Sequence, residues 1–162
     1  MSMTHYMELL AVNQPWNLIL FMAIPVILAE TVAITELVIL FTRRFDGNVR
    51  RLNKICSIIG GFYFLFVFIY LFISAVIPLT MNGEWRGWID VIAVTFYLLG
   101  VIPLFGLSLL DLHVIGRNWN EEKRLKVHAI FVGIFLIVAH IAMIFGMLDP
   151  SLGTGQTHHM NM

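Results

Sequence analysis

His140, Met143 and Met147 follow one another at i, i+3 and i+7, so on a helix one imidazole and two thioethers line a single face. Thioether and imidazole donors suit a soft cation such as Cu(I), and they remain ligands in an oxidising compartment where a thiolate is lost. Met22 belongs to another apolar stretch at similar expected depth, and His5, His158, His159 and Met160 add donors in the two tails. All of the methionines fall in the half of the chain's layout that carries the termini, although packing is the commoner use of this residue.

A second group of titratable residues interrupts the apolar stretches: Glu30, Glu36, Asp111, His113 and His128. Glu36 follows Glu30 by about 9 Å along a helix and about 120° around it, so the two carboxylates address different neighbourhoods. Either could relay a proton or serve as a hydrogen-bonded partner. Asp111 and His113 precede a polar loop centred near residue 120, and His128 follows it. Equal distance from a hairpin turn means equal depth, so the imidazoles of His113 and His128 can meet if their helix faces agree. Asp111 and His113 point about 200° apart, so one of them alone reaches that place. Glu36, at comparable depth, is expected as a third ligand or as the acceptor of an imidazole N–H. Imidazole with carboxylate suits Zn, Mn or Fe, and imidazoles on membrane helices suit haem b. The plainer reading pairs Asp111 with a loop arginine such as Arg117 and leaves the histidines hydrogen-bonded near the interface.

These residues sit in a chain of 162 residues that is 59% hydrophobic and 12% charged, with ten basic and ten acidic side chains. A soluble domain carries about 25% charged residues, so half the usual charge is missing. Stretches of roughly 20 apolar residues are long enough to cross a bilayer. Four such spans are expected, at residues 18–41, 55–80, 91–115 and 127–148, which makes the fold an all-α, four-transmembrane-helix bundle. Residues 1–162 form one integral membrane domain, with an interfacial segment before residue 17 and a polar tail after 148. Residues 4–12 are amphipathic enough to lie on the bilayer surface, with Tyr6, Leu9 and Leu10 dipping into lipid.

Arg43, Arg44, Arg50, Arg51 and Lys54 fill the first loop, and Arg117, Lys123, Arg124 and Lys126 fill the third. Only Arg86 lies at the other side, so the positive-inside rule places both termini outside the cytoplasm, in a prokaryotic cytoplasmic membrane. The first cation is Arg43, so the N-terminal segment lacks a signal peptide's cationic region and is expected to be retained. Pro25, Pro78 and Pro103 read as kinks within the spans, and the interspersed glycines as points of close helix approach.

Zero net charge and a lone Cys56 exclude a nucleic-acid binder and an intramolecular disulfide framework. No phosphate loop or hydrolase constellation is present, so a stand-alone enzyme is not expected. The leading expectation is a transition-metal membrane protein, with copper captured by the outer Met and His groups and handled along the intramembrane His and carboxylates. The alternatives are a b-type haem electron-transfer protein, hence an oxidoreductase subunit, a structural subunit without chemistry of its own, and a proton-coupled carrier. The expected partners are the lipid bilayer and other membrane subunits or a second copy of the chain.

Overall fold

The computed structural model describes residues 3–153. A short helix, α1 (His5–Ala11), precedes four long ones: α2 (Trp16–Thr42), α3 (Asn48–Asn82), α4 (Trp88–Asp111) and α5 (Glu121–Met147). Each of the four is long and apolar enough to cross a membrane. Their outward faces carry large apolar side chains such as Phe41, Phe66 and Ile137, which water would penalise and lipid accepts. Successive helices pack against each other through short connections, giving an up-down-up-down bundle. Of the pairs that are neighbours around the bundle, the first and last spans, α2 and α5, touch least. One end of the bundle, the cationic end, carries nine of the cations, but Arg50, Arg51 and Lys54 lie in the first two turns of α3 and Lys123, Arg124 and Lys126 in those of α5, leaving only Arg43, Arg44 and Arg117 in the expected loops. The other end holds α1 and the final turn.

The three prolines interrupt the spans in a regular way. Proline has no N–H, and its ring clashes with the carbonyl four residues earlier. Ahead of Pro25 the chain widens into a π-helical turn over Ile19–Ala23, and ahead of Pro78 into another over Phe72–Val76. Ahead of Pro103, α4 breaks at Gly100. The carbonyls freed near Pro25 are taken by side chains: Tyr63 donates its hydroxyl to the Leu20 carbonyl, and Tyr97 donates to that of Phe21. Two freed backbone acceptors are therefore satisfied, one from each of two neighbouring helices, as a lipid environment requires.

Close approach occurs where α3 crosses α4. A Cβ at Gly61 would lie 1.9 Å from Ser108 Oγ and 2.5 Å from the Leu104 carbonyl oxygen, so only glycine fits. Ser108 donates across this contact to the Ser57 carbonyl at 2.9 Å.

The N-terminal segment differs from the sequence expectation. Tyr6 and Leu10 pack into the bundle core instead of lipid, with the Tyr6 ring 5.0 Å from that of Tyr97, while Leu9 is only partly buried. Thr4 caps α1 by accepting from Met7 N–H and donates to the Gly146 carbonyl at 2.8 Å. Buried Asp90 accepts from the His5 backbone N–H at 2.7 Å and meets the His5 ring. Arg86 donates to the Met3 carbonyl and pairs with Glu8. The polar tethers outweigh the pull of lipid on a segment of so few apolar residues.

The third span is shorter than the sequence suggests, ending at Asp111 rather than near 115. His113 adopts a left-handed conformation with φ of 62°, and two reverse hydrogen bonds close the helix: His113 N–H to the Leu110 carbonyl and Val114 N–H to that of Leu109. This is the Schellman pattern, and histidine is one of the side chains that tolerate its left-handed position. Beyond the connection, Asn120 caps α5 by accepting from Lys123 N–H, with Glu121 and Glu122 in the first turn.

Candidate functional site

A closed ring of five polar side chains sits at the cationic end, drawn from all four long helices. Arg50 and Asn53 come from α3, Glu36 from α2, His128 from α5 and Asp111 from α4. Arg50 donates to Asn53 Oδ1 at 3.1 Å, and Asn53 donates to Glu36 Oε2 at 3.2 Å. Glu36 Oε2 lies 2.7 Å from His128 Nδ1, an ion-pair contact whose angle falls outside hydrogen-bond geometry. His128 Nε2 is 3.1 Å from Asp111 Oδ2, and Asp111 Oδ1 receives Arg50 at 3.4 Å, which closes the ring. Asn53 also donates to Thr35 Oγ1 and to the Val32 carbonyl. Glu36, Asp111 and His128 are each at most 3% exposed, whereas Arg50 reaches the surface.

The charge count shapes what the ring can do. Arg50 contributes one positive charge against two carboxylates, so a single proton on His128 makes the ring neutral. A neutral imidazole has one bare nitrogen, which cannot face a carboxylate without repulsion. Both ring nitrogens face carboxylates here, Nε2 in a hydrogen bond with Asp111 and Nδ1 in an ion-pair contact with Glu36, an arrangement that suits an imidazolium.

Of the residues singled out in the sequence, Glu36, Asp111 and His128 are brought together, and His113 is not. The left-handed turn swings His113 out of the bundle, where Arg124 donates to its Nε2 at 2.7 Å and its Nδ1 meets the Asp111 carbonyl. The expected His113 and His128 ligand pair is therefore replaced by a hydrogen-bonded row in which carboxylates occupy both nitrogens of His128. Among the described residues, no group of three or more His, Cys, Asp or Glu side chains is arranged to hold a metal ion. Asp111 takes Arg50 rather than Arg117. The sequence reading took Arg50 for a loop cation and passed over Asn53 and Ser57, although the three recur at i, i+3 and i+7 along one helix face.

A second feature lies further along the α2–α5 seam, beyond a layer of Val32, Phe64, Val132 and Phe135. It is a cavity of about 220 Å³ with an apolar and aromatic wall. Met22 and Glu30 line it from α2, and His140 and Met143 from α5, with Glu30, His140 and Met143 also open to the outer surface of the bundle. His140 Nδ1 donates to the Leu136 carbonyl at 2.6 Å, which leaves Nε2 with its lone pair free of protein partners. Glu30 and Glu36 do lie in separate neighbourhoods, one at the cavity and one in the ring.

Met147 is exposed and lies outside the cavity wall. His5 Nδ1 is engaged by Asp90, a residue the sequence reading passed over although it stands in the first turn of α4. His158, His159 and Met160 lie outside the described residues.

A model for one protein family matches residues 1–162. The chain belongs to that family, described as a family of unknown function (DUF6803). No curated protein and no solved structure matches the chain. What this DUF6803 member does must therefore be argued from its ring and its cavity.

Proposed function

We propose that the chain is a small integral membrane protein that holds a soft transition-metal cation, copper foremost, in the α2–α5 cavity. The observation that carries this reading is that Met22, Glu30, His140 and Met143 line one and the same space, with His140 keeping a free Nε2. Two thioethers and an imidazole match the preferences of Cu(I), and the hydrogen bond from Nδ1 orients the imidazole and raises its basicity. Glu30 supplies the negative charge that a monovalent cation needs in a poorly solvating wall. Met147, exposed next along the same helix, supplies a thioether outside the cavity. The role is metal handling or the holding of a cofactor for a larger assembly.

The clustered cations favour a cytoplasmic location for the end that carries the ring, which puts the cavity in the outer half and both termini outside. A C-terminal tag open to protease in intact cells but not in inverted vesicles agrees with this orientation, and the reverse pattern rejects it.

The decisive experiment titrates purified protein with Ag(I), a redox-inert stand-in for Cu(I), and counts bound metal. Met22→Leu with Met143→Leu keeps side-chain volume while removing both sulfurs. One tight site in the wild type, lost in the double variant, is expected. Equal stoichiometry and affinity in both proteins would reject the cavity as the site.

A further inference from the structure

The ring and the cavity share one seam. Glu36 and Glu30 stand on the same helix, about 9 Å apart along its axis. Between them lies the apolar layer of Val32, Phe64, Val132 and Phe135, each under a tenth exposed. Charge in one compartment is thus felt by the other through a medium that screens poorly. The imidazole of His140 lies further off, about 18 Å from His128 along α5, and at an effective dielectric of about 20 a unit charge at roughly 18 Å changes a proton equilibrium about fivefold.

The ring has the features of a proton site rather than a plain clamp. Its central row sets His128 between two buried carboxylates, with Asp111 in hydrogen-bond geometry at Nε2 and Glu36 2.7 Å from Nδ1, where a small rotation brings the pair into line. Glu36 Oε1 is fully buried and accepts no hydrogen bond, so the row keeps an unspent acceptor at its inner end. At its outer end Asp111 is the last residue of α4, paired with the partly exposed Arg50, which gives protons a way to the solvent. The groups facing the row are Thr35 from α2, Arg50, Asn53 and Ser57 from α3, Ser108 from α4 and, one turn before His128, Arg124 from α5. Arg124 is committed to Glu121, His113 and the Leu110 carbonyl.

We infer that the ring is a proton-binding site linked to the cavity, so that a cation bound beside Glu30 and His140 expels a proton from the Glu36, His128 and Asp111 row, and proton uptake weakens the cation. The step is balanced: one positive charge enters the cavity, one proton leaves through Asp111, and no electron is transferred. Linkage makes the effect reciprocal, so the cation's affinity and the ring's proton affinity change by the same factor. This inference rests on the cavity's being a cation site, and it assigns that site a proton-exchanging regulation.

The test records Ag(I) affinity across the neutral pH range and, in weak buffer with a pH indicator, protons released per Ag(I) bound. Wild type, Glu36→Gln and Asp111→Asn are compared, with gel filtration reporting the fold. Wild type is expected to release protons on binding and to bind about fivefold tighter as pH rises. Glu36→Gln is expected to keep binding but to release fewer protons and to lose most of the pH dependence. Should that variant misfold, Asp111→Asn at the other end of the row carries the same expectation. If wild type binds Ag(I) without releasing protons, or if both folded variants release as many as wild type, the linkage is overturned while the cavity site stands. If wild type binds no Ag(I), both fall together.

Discussion

Glu36 on the first span and His128 on the last meet at 2.7 Å, and this contact bridges the two neighbouring helices that otherwise touch least. It is also the point at which the polar ring crosses the seam. Removing one partner leaves a buried charged group without compensation, which costs about 3–5 kcal/mol. Glu36→Ala and His128→Ala are each expected to lower thermal stability in detergent by that order. The double variant should lose less than the sum, and strict additivity in a double-mutant cycle would show that the two side chains do not interact.

Gly61 is fixed by its neighbours across the α3–α4 crossing. Adding one methyl places it against Ser108 Oγ and the Leu104 carbonyl. Overpacking of this kind costs about 1–3 kcal/mol. Gly61→Ala is expected to destabilise the bundle accordingly. Ser108→Ala in the same chain should recover only part of the loss, because the backbone carbonyl remains in the way. An unchanged melting temperature for Gly61→Ala would contradict this packing.

Tyr6 anchors α1, and burial pushes its hydroxyl up to about 12. The unfolded hydroxyl ionises near 10, so below that pH the docked and undocked forms bind the same proton and the contribution is intact. As pH rises from about 10 towards 12, the undocked form alone loses its proton, and docking weakens. Alkaline titration followed by the near-ultraviolet signal of the tyrosines should show late ionisation coupled to release of the segment. Tyr6→Phe should dock without that alkaline transition.

Asp90 holds α1 through both the backbone and the ring of His5. Asp90→Ala leaves those donors unpaired at a loss of about 1–3 kcal/mol. The expected result is an N-terminal segment cut faster by protease, with α2 to α5 still protected. Equal cutting rates in the two proteins would mean that Tyr6, Leu10 and Thr4 hold the segment without Asp90.

Much of the architecture was legible in the residue pattern, because lipid imposes a length and an apolar composition that few other environments demand. The four helices, their breaks at Pro25, Pro78 and Pro103, and the separation of Glu30 from Glu36 all follow from local rules. Depth was also readable: Glu36 and His128 stand at matching distances from the cationic end, and Met22 and Met143 at matching distances from the other.

Direction was not. Which way His113 turns depends on a left-handed residue at the end of α4, and a two-bond reversal there outweighs the depth argument that paired it with His128. Arg50, Asn53, Asp90 and Arg124 count as ordinary interfacial charges and amides until neighbouring helices bury them, and only packing supplies their partners. The fate of α1 has the same cause, since its few apolar side chains serve lipid or a core equally well and the tethers at Asp90, Arg86 and Gly146 decide between them. Hydrophobic length is a property each segment carries by itself, whereas a ring closed across four helices exists only once their rotations and registers are set together.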